Sequence, residues 1–217
     1  PYLNSLGIDP ISEGAKQITK VHISTTKSKL IKGKLPLGGF GMSRHFLDNL
    51  LVNKACKNGV QVIKESVDDI RFKKNAFTIT TKKSNIFQSK IVIGAFGKRS
   101  ILDKKMKRKF FQQKSHYLAV KTHVKGVFPE NLVALHNFEG GYCGVSKVEN
   151  NSINLCYITD YKMFKKHKTI TGFQNKVVFK NEFIRKLFNE TTPIFEKPLS
   201  ISQISFQSKA PVEEHII

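Results

Sequence analysis

Tryptophan is absent from this 217-residue chain, acidic side chains number 16 against 37 basic ones, and cysteine occurs three times. Each scarcity excludes something. Cys56, Cys143 and Cys156 are odd in number and widely spaced, with no Cys-x-x-Cys pair, so no thiolate metal or redox centre is expected and a reducing cytoplasm fits best. No apolar run approaches the ~20 residues needed to cross a bilayer, and no charged-then-apolar leader opens the chain. Low-complexity linkers and internal repeats are also missing. The shortage of acids leaves a formal net charge of +21, which taken alone suggests nucleic acid, an anionic membrane surface or a phosphate-rich ligand. Arginine is scarce, however. Only Arg44, Arg71, Arg99, Arg108 and Arg185 carry the guanidinium fork that suits phosphates and base edges. Abundant Lys, Asn, Ile and Phe with no Trp is what an AT-rich coding bias produces, so no specific nucleic-acid partner is expected.

What is present reads as a globular α/β chain, since 40% apolar residues can fill a core at this length. From Met42 to Gly59 helix signals agree: Ser43 as N-cap, Met42 and Leu47 as a hydrophobic staple, and Gly59 as the C-terminal left-handed residue. Leu47, Leu50, Leu51 and Ala55 give that helix one core-facing stripe. Val60–Ile63 then reads as a strand. Strands at Asp69–Phe72, Ala76–Thr81 and Asn85–Ser89 follow, separated by polar turns, as an antiparallel meander. Ile91-Val92-Ile93 is a short apolar run entering Gly94-Ala95-Phe96-Gly97, the pattern of a strand buried on both faces. Beyond His116 the texture becomes alternating: His116–Lys125, Leu132–Phe138, Tyr142–Val148 and Ser152–Thr159 predict a second, antiparallel sheet. An amphipathic helix is expected between Phe173 and Asn189, stopped by Thr192-Pro193, and a last strand over Leu199–Phe206.

Two glycine segments carry potential chemistry. Gly39-Phe40-Gly41-Met42-Ser43-Arg44 precedes a helix N-terminus, but a third glycine is missing and Pro36 spoils the preceding stretch as a central strand, so it is not a dinucleotide fingerprint. Arg44, in the first helical turn, can reach a phosphate or ribose, or can be an ordinary solvated arginine. In Ile93-Gly94-Ala95-Phe96-Gly97-Lys98-Arg99-Ser100 the small residues let backbone amides approach a pyrophosphate, although a tight turn looks the same. The basic run from Lys98 to Lys109 reads as a solvated helix face. His116 and His123 are set seven apart on one strand, which argues against a shared metal site, and none is expected.

In that order, these segments resemble the p-hydroxybenzoate-hydroxylase-like flavoproteins, in particular the geranylgeranyl-reductase-like and electron-transfer-flavoprotein dehydrogenase-like branch. Gly39 to Asp48 resembles the family's Gly-x-x-x-Ser-Arg-x-x-Leu-Asp segment, and Ile93 to Ser100 its Ile-Gly-Ala-Asp-Gly-x-x-Ser motif, with Phe96 in place of the acidic residue. Leu135 to Val145, followed by Val148-Glu149-Asn150, resembles the reductase hairpin, with Gly144, Ser146 and Lys147 replacing the Trp, Phe and Pro of the prenyl reductases. The resemblance implies FAD as cofactor, held by Arg44, the Val67 backbone, Gly94, Ala95, Phe96 and Gly97. It also implies that Gly141, Tyr142, Cys143 and Gly144 face flavin and substrate.

The expected architecture is therefore α/β plus an antiparallel sheet. A partial FAD-binding Rossmann-like domain lacking its first βαβ unit spans residues 1–113, with early substrate-domain strands at 17–37. An antiparallel substrate domain covered by helices spans 114–207, and 208–217 return toward the FAD domain. The chain opens on Pro1 and closes on His215-Ile216-Ile217, so it is expected to be an internal fragment that by itself holds FAD poorly. The flavin carries the redox chemistry, with NAD(P)H or another electron donor. No acid–base set is legible; His136 and Tyr142 are the nearest candidates, with a hydrogen-bonded structural role as the alternative for His136. The expected substrate is small or lipid-like, the latter with peripheral contact at the inner membrane surface. The alternatives are an aromatic-type monooxygenase on the same scaffold, or a basic, non-enzymatic module for nucleic acid or anionic membrane.

Overall fold

A computed structural model describes residues 2–98, 100–112, 116–202, 207–212 and 215–216. Arg99 of the glycine motif and residues 203–206 of the expected last strand lie outside the described residues. The first 57 residues supply α1 (Tyr2–Ser5), β1 (Lys16–Ser24), β2 (Leu30–Gly41) and α2 (Arg44–Lys57). Then come β3 (Val67–Lys73), β4 (Ala76–Thr81), β5 (Ile86–Ser89) and α3 (Ile101–Lys105). Four long strands follow: β6 (Tyr117–Lys125), β7 (Leu132–Phe138), β8 (Gly141–Lys147) and β9 (Ile153–Asp160). The described chain continues through α4 (Tyr161–Lys165), α5 (Ile170–Lys176), α6 (Glu182–Asn189), β10 (Thr192–Pro193) and β11 (Leu199–Ser202).

The chain forms two compact units. One combines residues 1–57 with 116–202, and the other combines 58–115 with 203–217. This division differs from the expected 1–113 block in placing all of residues 1–57, α2 included, with the large sheet. β1 and β2, over the stretch expected to hold early substrate-domain strands at 17–37, extend that sheet, because β1 pairs in parallel with β7 from Lys20↔Leu132 to Ser24↔His136.

In the first unit the sheet order is β10-β6-β9-β8-β7-β1-β2, with β11 also pairing β6. The β6–β9 strands pair antiparallel along β6-β9-β8-β7, as their alternation predicts. Gly140 makes the β7–β8 turn at φ +77°, a backbone region that costs glycine little. One sheet face is covered by helices. Ile153, Phe173, Val178 and Ile184 are fully buried between the layers, each contributing about 1.5–3 kcal/mol of transfer free energy. β2 is an edge strand, which explains how it tolerates Pro36. The close glycine at its end is also explained by packing, since a Cβ on Gly41 would collide with the Lys147 carbonyl oxygen.

Helix α2 begins as its sequence predicts: Ser43 Oγ accepts from the Phe46 amide at 3.1 Å, and Gly59 beyond its end has φ +84°. Its apolar stripe, Leu47, Leu50, Leu51 and Ala55, is only half-buried, so the expected core face is incompletely covered. The single helix expected over Phe173–Asn189 is instead broken into α5, a 3₁₀ turn at Val178–Lys180, and α6. The break is made by Asn181, whose side-chain oxygen accepts from the Phe183 and Ile184 amides and restarts the helix.

The second unit contains the antiparallel meander β3-β4-β5. Its turns use left-handed Lys74, Asn75 and Ser84, as their polar sequences require. Phe77 is the buried anchor of this sheet, its ring 4.8 Å from that of Phe72. Two sequence expectations fail here. Val60–Ile63 and Ile91–Ile93 form no strand among the described residues, and Ile91 and Ile93 are 66% and 73% exposed rather than buried on both faces. Composition favours a strand, but a strand is defined by its hydrogen-bonding neighbour, and neither segment has one among the described residues. No described helix is long and apolar enough to cross a membrane.

Candidate functional site

The second unit gathers three of the expected cofactor residues around one cavity. Val67 at the start of β3, and Gly94 and Phe96 of the glycine loop, line a space of about 490 Å³ whose other walls include Ile70, Ile79 and Leu102. A mainly aliphatic cavity of this size with a few polar edges falls within the range of small-molecule sites. Glu65 stands at its margin, but its carboxylate is occupied by Asn85 Nδ2 at 2.9 Å and Thr81 Oγ1 at 2.7 Å, bonds that hold it below the usual carboxylate range. Glu65 therefore closes the β4–β5 turn.

The loop is shaped from within its own unit. A Cβ at Gly94 would lie 2.8 Å from the Phe96 ring and 3.1 Å from Ile216, so the loop path and the ring require glycine there. Gly97 has φ +67°, and a Cβ built on it meets nothing within 4 Å, leaving open space above the backbone. Ala95 is exposed between them. Phe96, where an acidic residue stands in the resembled family, accepts a cation on its face: Lys209 Nζ lies 3.9 Å from the ring centroid. The same ammonium donates to the Gly97 carbonyl at 3.0 Å and pairs with Asp103 Oδ1 at 3.0 Å. Asp103 is fully buried and also pairs with Arg108 at 3.2 Å. Sequence reading missed this cluster and placed Arg108 on a solvated face. The available signal was Ser100-x-x-Asp103, a capping-box spacing, and Ser100 does cap α3 through the Leu102 amide.

The remaining expected residues lie in the first unit. Arg44 opens α2 with a side chain 80% exposed, its guanidinium bonded to Asp48 one turn on at 3.0 Å. Along β8, side chains alternate between faces. Tyr142 is 45% exposed and Gly144 shares its face, while Cys143 is wholly buried on the opposite, helix-covered side. Cys143 and Gly144 thus cannot face the same partner. Burial, reinforced by Cys156, pushes the Cys143 thiol far above its usual range, so it stays protonated and acts as a small core residue. Gly141 is held by packing, since a Cβ there would strike the Ile158 carbonyl oxygen and, at 2.8 Å, the Phe138 ring.

His136 is 6% exposed, stacked on Phe183 with the rings 8° from parallel. Asn181 Nδ2 donates to Ser24 Oγ at 2.7 Å, and Ser24 Oγ shares a hydrogen bond with His136 Nδ1 at 2.9 Å. Burial first, and the charge of His22 second, lower the His136 pKa to about 4, in agreement with a neutral ring. The geometry makes His136 part of a buried structural network that also ties Asn181 to the Asn137 and Thr25 carbonyls. Among the described residues no cluster of three potential metal ligands occurs.

Neither a protein-family model nor a curated protein sequence matches the chain. Its fold is similar to solved structures. The flavin-dependent brominase Bmp2 matches with a TM-score of 0.71 at 16% identity, over 93% of this chain and 54% of that one. Halogenase PltM matches with 0.72 at 12% identity, over 93% and 45%. A flavoprotein/dehydrogenase from Cytophaga hutchinsonii matches with 0.71 at 17% identity, over 92% and 54%. This chain thus spans about half the length of the proteins it matches and shares the fold of that half, a fold found in FAD-dependent halogenases and a flavoprotein dehydrogenase.

Proposed function

We propose that the chain is the central part of an FAD-dependent oxidoreductase. The observation that carries this reading is the convergence of Val67, Gly94 and Phe96 on one cavity of about 490 Å³. The backbone at Val67 borders adenine. Gly94, Ala95, Phe96 and Gly97 present their amides to the pyrophosphate, and Arg44 supplies a guanidinium to a phosphate or ribose. Bound flavin supplies hydride or electron transfer. The protein's own share is to hold the dinucleotide, to exclude water, and to offer Tyr142 and Gly144 on the open sheet face toward a small or lipid-like organic substrate.

The two apolar segments without a strand partner among the described residues, Val60–Ile63 and Ile91–Ile93, support the fragment reading, since each has strand composition and would pair if a neighbouring strand were supplied. Reduction or dehydrogenation with NAD(P)H or another donor is the leading reaction class, in a cytoplasmic setting, with inner-membrane contact for a lipid-like substrate. Oxygen-dependent hydroxylation uses the same scaffold. Flavin-dependent halogenation is a further reading, favoured by the halogenases among the similar structures. Titration with FAD, followed by thermal shift, tests the cofactor assignment. A rise in melting temperature that is lost on Gly97→Val, a substitution disfavoured by its positive φ and intruding into the open space, is the expected result. No FAD-dependent shift in the protein with its natural flanks contradicts it.

A further inference from the structure

A second cavity, of about 580 Å³, lies wholly within the first unit and takes no part in the cofactor assignment beyond Arg44 at its rim. Lys121 and His123 project from β6 on the face opposite Val120 and Val124, and Lys197, Phe195 and Leu199 close the other side. Its charge is unbalanced. Neither Lys121 nor Lys197 has an ion pair or hydrogen bond among the described residues. The one carboxylate in the wall, Glu149, is occupied by the Ser43 amide at 2.8 Å, and the Arg44 guanidinium by Asp48. His123 faces Asn154 across the sheet, and burial lowers its pKa, so it adds an imidazole rather than a charge to the wall. Beside these polar groups, Phe195 and Leu199 leave 56% and 70% of their surface to water.

We infer that this cavity binds a small amphipathic carboxylic acid. Its carboxylate lies between the Lys121 and Lys197 ammoniums, and its apolar body covers Phe195 and Leu199. The volume lies within the range of small-molecule sites, about 300–1,000 Å³. A singly charged carboxylate suits the two lysines beside the Glu149 carboxylate better than a phosphate dianion, which Glu149 would repel more strongly. The apolar wall distinguishes the ligand from a bare inorganic anion. The inference does not rest on the flavin reading, and its test contains no flavin.

Calorimetric titration of the full chain with decanoate, decanol, inorganic phosphate and ADP tests it. Decanoate is expected to bind, decanol and phosphate at least about tenfold more weakly, and ADP not to displace decanoate. Lys121→Gln and Lys197→Gln are each expected to weaken decanoate by roughly three- to tenfold, with Lys176→Gln on an exposed helix as the unchanged control. Lys197 sits in an irregular exposed segment, so its variant reports even where the Lys121 variant disturbs the sheet. Equal binding of decanol or phosphate, displacement by ADP, or unchanged affinity in both variants would overturn the assignment.

Discussion

Asn181→Ala is the substitution that best probes how the large sheet is locked to its helices. The side chain is fully buried, and its two ends do different work. Its oxygen caps α6 through the Phe183 and Ile184 amides, at 3.0 and 3.4 Å. Its amide group donates to Ser24 Oγ, the Asn137 carbonyl and the Thr25 carbonyl at 2.7, 3.0 and 3.2 Å. Loss of the cap costs about 1 kcal/mol. Leaving the buried acceptors unsatisfied adds about 2–3 kcal/mol. At roughly 2–4 °C per kcal/mol for a chain of this size, the melting temperature followed by circular dichroism should fall by roughly 10 °C. Asn181→Asp separates the two parts, since it keeps the cap but loses both donors and sets a negative charge against two carbonyls. It should be at least as damaging as alanine. A fall of less than about 3 °C for the alanine variant, or a harmless aspartate, would refute the reasoning.

Other expectations follow from the same geometry. His136 has a folded pKa near 4 against 6.5 unfolded, so its contribution to stability is complete above pH 6.5 and is lost as pH falls toward 4; urea midpoints against pH should show a decline in that window that is shallower in His136→Gln. Asp103→Asn leaves Arg108 and Lys209 without their buried carboxylate and should destabilise the second unit by about 3 kcal/mol, seen as faster amide exchange in α3. Gly94→Ala should displace the Phe96 ring and lower stability by about 1–3 kcal/mol; the loss should be smaller in a Phe96→Ala background, as a double-mutant cycle would measure.

The sequence foretold those parts of the fold that depend on neighbours in the chain. Ser43 and Gly59 bound α2, Lys74, Asn75 and Ser84 turn the meander, and Gly140 turns the β7–β8 hairpin, because capping and left-handed backbone are local chemistry. Contacts between distant residues were not legible. Nothing near Ser24 announces that it meets His136 and Asn181, and nothing in β1 announces a parallel partner in β7, so the strands expected at 17–37 could be grouped with the substrate domain but not given a place in its sheet. Ile91–Ile93 shows the reverse error. Its composition is that of a buried strand, but burial requires a neighbour, which the described residues lack. At the candidate site, Val67 was expected only through the family resemblance, and the glycine loop from its small residues and that resemblance; the structure brings Val67, Gly94 and Phe96 to one cavity. The clamp of Lys209 on Phe96 and Asp103 was hidden by a separation of more than a hundred residues.

The central claim is that this fold holds FAD, and the visible absorption spectrum of the protein purified with its natural flanking sequence tests it most directly. The account predicts a yellow protein with flavin bands, whose bound cofactor is released on denaturation and identified as FAD. A colourless protein that FAD neither tints nor thermally stabilises would contradict it.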